Sequence, residues 1–546
     1  MADLQHECGV AAIYHLPGSP SPLLPPLENV ELEQASRFMP RMLLDLQNRG
    51  QLAAGFSTWN PRRDQILETY KEIGTVIEAF RLNHQGKYDS VMKENNGVAS
   101  IGHVRYATCG ANTRSFAQPF ERRHGCKWKW FSFAFNGQLA NFMELRTELL
   151  SLSDYHLTRG NDTEVIMHFI AHALRGDEKP DLVKVFTELS QKFDGAYNLV
   201  FLNGMGDMVV LRDPKGIRPL CYAYEDNLFA AASESVPLVN IGFKKVHNVE
   251  PGEMILIENG KWRRERFAPK QPTAHCFFEW IYFANVASSL DERSVYLSRS
   301  ALGKELAAQE RRLAKVPLDD GNTIVVPVPD TAKAAADAMA HALGLPCLEG
   351  LMRNRAIGRT FIEGSNRGDR VSLKYTPLRE VMEGKRVFLV EDSIVRSTTL
   401  NSLLHHVRER GKAREIHVRV ACPPIIAPCF YGIDMSTVKE LFAPRFMKAR
   451  RPTEGEQDAM ARELNADSLL YLPLEAVARC IDLDSDRLCR ACLNGEYPTE
   501  AGEKLYQMAL INRKNGEVGN GRTYETPLNG SCHGQSAPRH DSPLKS

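Results

Sequence analysis

The stretch KRVFLVEDSIVRSTTL, Lys385 to Leu400, sets two acids directly after an apolar run and follows them with hydroxyl side chains. The apolar run suits a strand buried on both faces of a parallel sheet, which has no room for charge along its length. Glu391 and Asp392 are therefore expected just past the carboxyl end of that strand, where open α/β sheets bind ligands. There, a helix start can hold phosphate, and carboxylates can orient ribose hydroxyls or a hard cation. Taken alone, the pattern also fits a capped loop that binds nothing.

Cys8 stands directly before a glycine and a run of strand-forming residues. If residues 1–7 were removed, Cys8 would carry both a thiol nucleophile and a free α-amine, whose ordinary pKa of about 7.7 to 8.0 suits proton transfer near neutrality. An uncleaved leader would leave that nitrogen as an amide without basicity. By itself the residue fits a buried structural cysteine better, so its role depends on other segments of the chain.

Four further cysteines lie in three separate segments. Cys489 and Cys492 have the C-x-x-C spacing that can bind one metal centre from a short turn, and Cys276 and Cys429 lie far upstream. The pair alone is ambiguous among zinc, iron–sulfur and redox chemistry. The chain has 12 cysteines in all, which we expect as reduced thiols, metal ligands or catalytic groups.

The elements that must position these residues follow two patterns. Before Arg266 the chain alternates turns with short strand-like segments such as GVAAIYHL and FSFAFNG, and helices are predicted around residues 38–46 and 163–174. This combination predicts an α+β layered domain. From about Cys276 onward, strands alternate with helices, which indicates a mostly parallel sheet.

Length and composition limit the possible classes of protein. At 546 residues the chain is long enough for two or three domains. Lys and Arg number 68 against 67 Asp and Glu, so the net charge of +1 gives no electrostatic argument for nucleic acid or an anionic membrane. No apolar run approaches the roughly 20 residues that span a bilayer. We therefore expect a soluble cytoplasmic protein that binds neither nucleic acid nor a membrane.

The segment LVEDSIVRSTT resembles the phosphoribosyl pyrophosphate (PRPP) loop of the type I phosphoribosyltransferases, and more closely the LVDDSIVRGTT of the glutamine PRPP amidotransferase family. The segments VVPVPDTA and RNRAIGRTFI resemble the pyrophosphate loop and the mobile loop of the same domain. The resemblance implies two sets of residues. The PRPP-binding set is Arg355, Arg359, Asp392, Ser393, Ser397, Thr398 and Thr399, and the Mg²⁺ ligands are Thr331, Glu391 and Asp392.

The segments LQNRGQLAAG, GHVRYATCG, FNGQL and RGNDTEV occur in the order of the class II glutamine amidotransferases, which are N-terminal-nucleophile hydrolases. This resemblance implies removal of residues 1–7 and makes Cys8 the nucleophile. It assigns the other residues by position: Asn136 and Gly137 to the oxyanion hole, Arg105 to the glutamine α-carboxylate, Asp162 to its α-amine, and Tyr106 and Thr108 to the pocket wall. Such pairings are chemically apt, because Arg binds carboxylates bidentately and N–H donors stabilise a tetrahedral oxyanion.

The contexts of Cys276, Cys429, Cys489 and Cys492 resemble those that hold a [4Fe–4S] cluster in one branch of the same family. Four thiolates complete the ligand count of such a cluster. The resemblance implies a structural or oxygen-sensitive regulatory cluster, since neither half-reaction needs electron transfer. A Cys₄ zinc site and four unrelated buried thiols remain the alternatives.

Several positions depart from the family pattern. Ser397 replaces a glycine of the PRPP loop, and Ala356 replaces the usual tyrosine of the mobile loop. In the glutaminase half, Asn48 and Leu52 replace His and Glu of QHRGQESAG, and Asn285 replaces Arg of YFARPDS where the two domains should communicate. These departures bear on PRPP binding and on coupling between the domains.

The resemblance implies a four-layer αββα N-terminal-nucleophile hydrolase domain at residues 8–270 and an α/β type I phosphoribosyltransferase domain with a mainly parallel sheet at 271–500. We expect a cleaved leader at 1–7 and a largely disordered C-terminal extension at 501–546, whose residues from Asn515 onward are rich in Gly, Ser, Asn and Pro.

The implied reaction is that of an amidophosphoribosyltransferase, which makes 5-phosphoribosylamine, glutamate and pyrophosphate from PRPP, glutamine and water in purine synthesis. Purine nucleotides are expected as feedback inhibitors and a homo-oligomer as the assembly. The alternatives are a divergent paralogue with another acceptor, and a non-catalytic regulatory protein that binds PRPP or nucleotide.

Overall fold

Short antiparallel strands build the first half of the chain. The structure, a computed structural model, describes residues 8–18, 21–24, 34–106, 113–152, 155–318, 321–354, 375–435 and 437–515. The strands of the first half are β1 (Gly9–His15), β2 (Ala53–Trp59), β3 (Leu67–Ile73), β4 (Ala99–Arg105), β5 (Phe120–Arg122), β6 (Phe131–Leu139), β7 (Gly195–Asn203), β8 (Met208–Arg212), β9 (Cys221–Glu225), β10 (Leu228–Ala232), β11 (His247–Asn248), β12 (Glu253–Glu258) and β13 (Lys261–Arg266). The predicted strands GVAAIYHL and FSFAFNG are confirmed as β1 and β6.

These strands form two antiparallel sheets. One has the order β11-β9-β10-β1-β4-β2-β3 and the other the order β13-β12-β8-β7-β6-β5. In the first sheet, Gly9 of β1 lies opposite Val104 of β4. The residue before β1 therefore lies beside the end of β4, which brings Cys8 next to Arg105.

Helices cover the outer face of each sheet. They are α1 (Met39–Asp45), α2 (Val76–Ala79), α3 (Gln85–Glu94), α4 (Phe142–Ser151), α5 (Asp162–Ala173), α6 (Leu182–Ser190) and α7 (Val236–Ile241). One apolar core lies between the two sheets. A second joins the first sheet to α1, α2 and α7, and a third joins the other sheet to α4, α5 and α6. The predicted four-layer αββα arrangement is confirmed.

The second half of the chain alternates strands and helices. Its strands are β14 (His275–Cys276), β15 (Ser289–Leu290), β16 (Arg293–Ser294), β17 (Thr323–Pro327), β18 (Leu351–Arg353), β19 (Tyr375–Pro377), β20 (Arg386–Glu391), β21 (Glu415–Val420), β22 (Ser468–Tyr471) and β23 (Leu488–Cys489). Its helices are α8 (Val295–Leu313), α9 (Lys333–Leu343), α10 (Arg379–Met382), α11 (Thr398–Glu409), α12 (Glu454–Glu463), α13 (Ala476–Ile481), α14 (Ala491–Asn494) and α15 (Glu500–Asn515). Strands β17, β20, β21 and β22 pair in that order, all parallel, as predicted.

The long helix α8 packs tightly against α9. Its start is capped by the hydroxyl of Ser294, which accepts the N–H of Leu297 at 3.3 Å. A Cβ on Gly303 would overlap the backbone of Ala335 in α9, so this glycine allows the close helix contact. Neither α8 nor any other helix within the described ranges is long and apolar enough to cross a bilayer.

The packed part of the chain continues to α15, which corrects the expectation that a largely disordered extension begins at residue 501. Ala501, Leu505 and Ala509 recur at helical spacing and are buried in the core of the second half. The N–H of Ala501 donates to Oδ2 of Asp194 at 3.0 Å and so ties α15 to the first half. Residues 516–546 lie outside the described residues.

Candidate active sites

Cys8 lies where β1 begins, against the end of β4. Its Sγ is 3.5 Å from both the backbone nitrogen and the carbonyl oxygen of Tyr106. A Cβ on Gly9 would come 3.2 Å from the side chain of Arg49, so glycine allows this arginine to approach the site. Burial raises the pKa of the Cys8 thiol to about 11, although the charge of Arg105 lowers it. The thiol is therefore neutral near pH 7 and needs a proton acceptor before it can attack.

Asn136 and Gly137 lie in β6, and Ser233 links Asn136 to β1. The buried Asn136 amide donates to the hydroxyl of Ser233 at 3.3 Å, and the same hydroxyl accepts the N–H of Val10 at 2.9 Å. A side-chain amide has two N–H donors, and donors of this kind can stabilise an oxyanion. Gly137 has φ +146°, and a Cβ there would overlap the carbonyl oxygen of Ala196, so the position requires glycine.

Arg105 and Asp162 bring opposite charges near the Cys8 thiol. Arg105 ends β4, is buried, and lies over the ring of Phe116 at 5.6 Å from its centroid. Asp162 begins α5 and accepts the N–H of Thr163 at 2.8 Å. Both charges act on the Cys8 thiol, whose pKa Arg105 lowers and Asp162 raises. The pair suits the α-carboxylate and α-ammonium groups of an amino acid.

The buried carboxylate of Glu164 fixes the loop that precedes Asp162. Glu164 accepts three consecutive backbone N–H groups, those of Thr158 at 2.8 Å, Arg159 at 2.7 Å and Gly160 at 2.7 Å. The hydroxyl of Thr158 adds a fourth bond at 2.6 Å. Because these donors stabilise the ionised form, the pKa of Glu164 is lowered even though burial raises it. The loop geometry before Asp162 is thus fixed by one fully hydrogen-bonded charge.

The affinity for glutamine should fall in mild acid. Burial raises the pKa of Asp162 to about 6, so its carboxylate is present above that pH and is lost as the pH falls through it. We expect kcat/KM for glutamine to fall by a further factor of about ten for each pH unit below 6, beyond the decline that protonation of a Cys8 α-amine would cause, because a neutral carboxyl no longer pairs with the substrate ammonium. The measurement is glutamate release from pH 5 to 8. The variant Asp162→Asn should show lower activity without this steeper decline below pH 6, and an unchanged profile in the variant would assign the steeper decline to another group.

Three of the predicted site residues lie outside the described residues. They are Thr108 of the glutamine pocket and Arg355 and Arg359 of the mobile loop. The leader at residues 1–7 and Ala356 lie outside as well. The roles of these residues stay predictions.

The acid pair lies at the carboxyl end of β20, as predicted. Glu391 and Asp392 are both buried, with exposed fractions of 1% and 2%. Thr331 follows the neighbouring strand β17, and its hydroxyl donates to Oδ2 of Asp392. Burial raises the pKa of Glu391 to about 7, and the adjacent Asp392 adds to that rise. A bound cation would favour the ionised form of both carboxyls. The three predicted Mg²⁺ ligands lie together at one sheet edge.

Hydroxyl groups surround this edge at the start of α11. Ser393 donates to Oδ1 of Asp392 at 2.8 Å. Thr398 and Thr399 occupy the first turn of α11, where unpaired backbone N–H groups favour anions. Ser397 precedes the helix with φ −82° and ψ −17°. Because this conformation is open to any residue, the serine in place of the family's glycine needs no unusual backbone geometry.

Arg299 of α8 is a buried cation. Its guanidinium donates to three backbone carbonyls, those of Trp280 at 2.9 Å, Tyr282 at 3.0 Å and Ala284 at 2.9 Å. Burial lowers its pKa to about 10, while the carboxylates of Asp392 and Glu234 oppose that change. The charge of Arg299 thus interacts with one acid from each half of the molecule.

The four cysteines of the predicted cluster meet at one place. Cys276, Cys429, Cys489 and Cys492 line the same small cavity. Cys276 of β14 lies opposite Cys489 of β23 in the parallel pair, and the N–H of Tyr431 donates to the sulfur of Cys429 at 3.4 Å. Burial raises the pKa of the Cys276 thiol to about 11. Among the described residues, no group of three or more His, Cys, Asp and Glu is arranged to hold a single metal ion.

This cysteine cavity adjoins β6, the strand that contains Asn136 and Gly137. Arg218 lines the cavity, and its guanidinium donates to the carbonyl oxygen of Tyr431. A Cβ on Gly432 would lie 3.1 Å from Nη2 of Arg218 and 3.4 Å from the carbonyl carbon of Gly137. The loop after Cys429 therefore packs directly behind the predicted oxyanion hole.

Two residues at the glutaminase site were not predicted from the sequence. Ser233 joins Asn136 to the strand that carries Cys8, and Glu234 pairs with Arg49 at 2.6 Å. Both follow the buried strand β10, in the segment LFAAASES. An apolar run followed by an acid is the same pattern that predicts Glu391 at a strand end, so the sequence carries a signal for Glu234.

Comparisons with known proteins cover nearly the whole chain. A family model described as a glutamine amidotransferase domain matches residues 103–240. The amidophosphoribosyltransferase of Methanothermobacter thermautotrophicus is 39% identical over 505 residues, which are 91% of this chain and 96% of that protein. Amidophosphoribosyltransferase 1 of Arabidopsis thaliana, a chloroplastic protein, is 34% identical over 91% of this chain and 80% of its own length.

A solved structure shows the same architecture. The glutamine PRPP amidotransferase of B. subtilis, in complex with ADP and GMP, superimposes with a TM-score of 0.75 at 32% identity. The match covers 90% of this chain and 98% of that one. A second structure, described as the allosteric regulatory enzyme of purine biosynthesis, gives the same TM-score at 33% identity over 90% of this chain.

Proposed function

The chain belongs to the amidophosphoribosyltransferase family, and from this premise we propose how its residues divide the reaction between two sites. The overall reaction converts PRPP, glutamine and water into 5-phosphoribosylamine, glutamate and pyrophosphate. One observation supports this division best: Cys8 lies against Tyr106 and interacts with the charges of Arg105 and Asp162, while Thr331 and Asp392 meet at a separate sheet edge.

In the glutaminase site, the sulfur of Cys8 attacks the side-chain amide carbon of glutamine. Arg105 and Asp162 bind the α-carboxylate and α-ammonium groups and so fix the amide beside the thiol. The amide of Asn136 and the backbone N–H of Gly137 stabilise the oxyanion that forms. The carbon–nitrogen bond breaks with proton transfer to the leaving ammonia, and water hydrolyses the glutamyl thioester to glutamate.

The thiol proton needs an acceptor, because burial keeps the pKa of Cys8 well above neutrality. We propose that removal of residues 1–7 supplies it, since the freed α-amine of Cys8 would lie on the same residue as the sulfur. A peptide nitrogen at that position has no basicity. Processing and glutaminase activity should therefore appear together.

In the second site, ammonia attacks the anomeric carbon of PRPP, the bond to pyrophosphate breaks, and the nitrogen loses a proton. The hydroxyls of Ser393, Thr398 and Thr399 and the start of α11 bind the phosphate of the ribose. Arg355 and Arg359 of the mobile loop would neutralise the departing pyrophosphate. Ser397 adds a further hydroxyl to the same loop.

Thr331, Glu391 and Asp392 fit a hard divalent cation, because they place two carboxylates and a hydroxyl at the edge where PRPP would bind. Mg²⁺ held there would neutralise charge on pyrophosphate and orient the ribose hydroxyls. The hydroxyl of Thr331 keeps Asp392 oriented toward the site. Few protein ligands are needed, since Mg²⁺ usually retains water and substrate oxygens.

The cavity lined by Cys276, Cys429, Cys489 and Cys492 fits a [4Fe–4S] cluster, because it offers four sulfur ligands in a buried space. Such a cluster would join three separate segments of the second half. We expect anaerobically purified protein to be brown and to contain about four iron atoms per chain. The variant Cys489→Ser should lose the iron.

The matched control is Cys480→Ser, which alters a buried cysteine of α13 outside the cavity. It should keep the iron content and the visible absorbance. Zinc in place of iron would support the Cys₄ zinc alternative, and protein without either metal would contradict both and leave four packed thiols.

We also propose feedback control by purine nucleotides and assembly into a homo-oligomer. The support for nucleotide control is the B. subtilis relative, which was solved in complex with ADP and GMP. A cytoplasmic location remains a prediction.

Two assays test the proposed function. The first measures PRPP-dependent glutamate release from glutamine, and the second measures pyrophosphate release with ammonia in place of glutamine. Both activities together support the proposal. Pyrophosphate release alone would indicate an inactive glutaminase, and the absence of both would favour a regulatory paralogue that binds without catalysis.

A further inference from the structure

Glu234 is a buried junction between the two halves of the molecule. One carboxylate oxygen, Oε1, accepts Nε of Arg49 at 2.6 Å and Nδ2 of Asn48 at 2.8 Å, both on the glutaminase side. The other, Oε2, accepts the N–H of Asn285 at 2.8 Å and the hydroxyl of Ser288 at 2.7 Å, both from the segment that leads into the second half. The side chains of Glu234 and Arg49 are fully buried.

On its far side, this junction extends toward the cysteine cavity. Arg49 also pairs with Glu279 at 2.6 Å, and Glu279 lies 3.5 Å from Arg218, which lines the cavity. Burial opposes the charge of Arg49, but Glu279 and Glu234 together raise its pKa above the usual value. Two arginines and two glutamates thus balance inside the protein, which is the condition for burying charges at acceptable cost.

The residues on either side of Glu234 in the sequence also contact both halves of the molecule. The Ser233 hydroxyl contacts Asn136 of the oxyanion site, and the hydroxyl of Ser235 accepts the N–H of Ser289 at 2.9 Å. Arg299, whose charge interacts with both Glu234 and Asp392, lies beyond this segment. Contacts therefore run from Asn136 to the segment Asn285–Ser289, and Arg299, which donates to the carbonyl of Ala284, extends this set by a charge interaction with Asp392.

Two positions that depart from the family pattern contact this one carboxylate in different ways. Asn48 binds one oxygen of Glu234 through its side-chain amide. Asn285 binds the other oxygen through its backbone N–H, a contact that any residue except proline could make. The departure at Asn48 therefore bears directly on the junction, whereas the side chain of Asn285 does not form this contact.

Resting on the proposed function, we propose that Glu234 is a positioning residue that couples the two half-reactions, by holding Arg49 beside Cys8 and the segment Asn285–Ser289 in one fixed arrangement. It touches no substrate. Its effect is on the ratio of glutamate to pyrophosphate released, which should be one when every ammonia molecule reaches PRPP.

The test is Glu234→Gln, which keeps the size of the side chain and removes its charge. We expect the ratio of glutamate to pyrophosphate to rise about threefold or more and KM for glutamine to increase. Ammonia-dependent pyrophosphate release should stay within about twofold of wild type. The variant Ser288→Ala removes only the contact from the second half and should shift the ratio in the same direction.

The matched control is Glu310→Gln, because Glu310 is equally buried and pairs with Arg419 at 2.5 Å away from the junction. It should lower the melting temperature without changing the ratio. If Glu234→Gln fails to fold, Ser288→Ala and Asn48→Ala carry the test. A ratio of one in these variants, with wild type active in both assays, would overturn the inference. Wild type inactive in both assays would instead overturn the proposed function.

Discussion

Replacing Cys8 with alanine is expected to abolish glutamate release from glutamine, by about 10⁴-fold or more, and to leave ammonia-dependent pyrophosphate release within about twofold. The sulfur lies against the backbone of Tyr106 and within range of the charges of Arg105 and Asp162, and none of these groups can replace the nucleophile. The acid pair of the second site belongs to a separate sheet. Loss of the thiol therefore removes one half-reaction and leaves the other.

The measurement compares both assays on the same preparation. Cys126→Ala is the matched control, because Cys126 is a partly buried free cysteine in the turn before β6. It should keep both activities. Glutamate release by Cys8→Ala at more than a hundredth of the wild-type rate would show that another group attacks the amide. Loss of the ammonia-dependent activity as well would show that Cys8 supports the fold of both halves.

Local sequence patterns predicted the strand ends well. A buried strand does not accommodate an unpaired charge along its length, so an acid that directly follows an apolar run indicates the sheet edge. That reasoning placed Glu391 and Asp392, and the resemblance to a known family added Thr331 from the neighbouring strand. The structure brings the three together because β17 and β20 are adjacent and parallel.

Contacts between distant segments could not be predicted in the same way. Glu234 binds residues near positions 48 and 285, and no spacing rule relates such positions before the fold is known. The four cysteines were grouped by resemblance, since only the pair at 489 and 492 has a recognisable spacing.

Helix α15 shows a different limit of prediction from the sequence. Ala501, Leu505 and Ala509 have the spacing of a buried helix face, yet the Gly- and Pro-rich composition of the residues that follow led to a boundary at 501. Composition averages over a window and so hides a short amphipathic helix at its edge. The periodicity was the better guide.

The second large effect is expected for Asp392→Asn, which should reduce pyrophosphate release about 10³-fold with either glutamine or ammonia. Asparagine keeps the size of the side chain and removes the charge that would face the metal and the ribose. The hydroxyls of Thr331 and Ser393 now donate to the two carboxylate oxygens. An amide offers only one acceptor oxygen, so one hydroxyl would lose its partner.

Comparison of the two assays distinguishes an effect on the PRPP site from an effect on the glutaminase reaction. Glutamate release without PRPP should stay within about twofold of wild type, because Asp392 lies on the other side of the Glu234 junction. Asp337→Asn is the matched control, since this half-exposed carboxylate of α9 pairs with Lys333, one turn earlier, away from the acid pair. It should leave both activities unchanged. If Asp392→Asn kept more than a tenth of the pyrophosphate release, the acid pair would not be the metal and ribose site. The charge of Asp392 would then act by stabilising the buried Arg299.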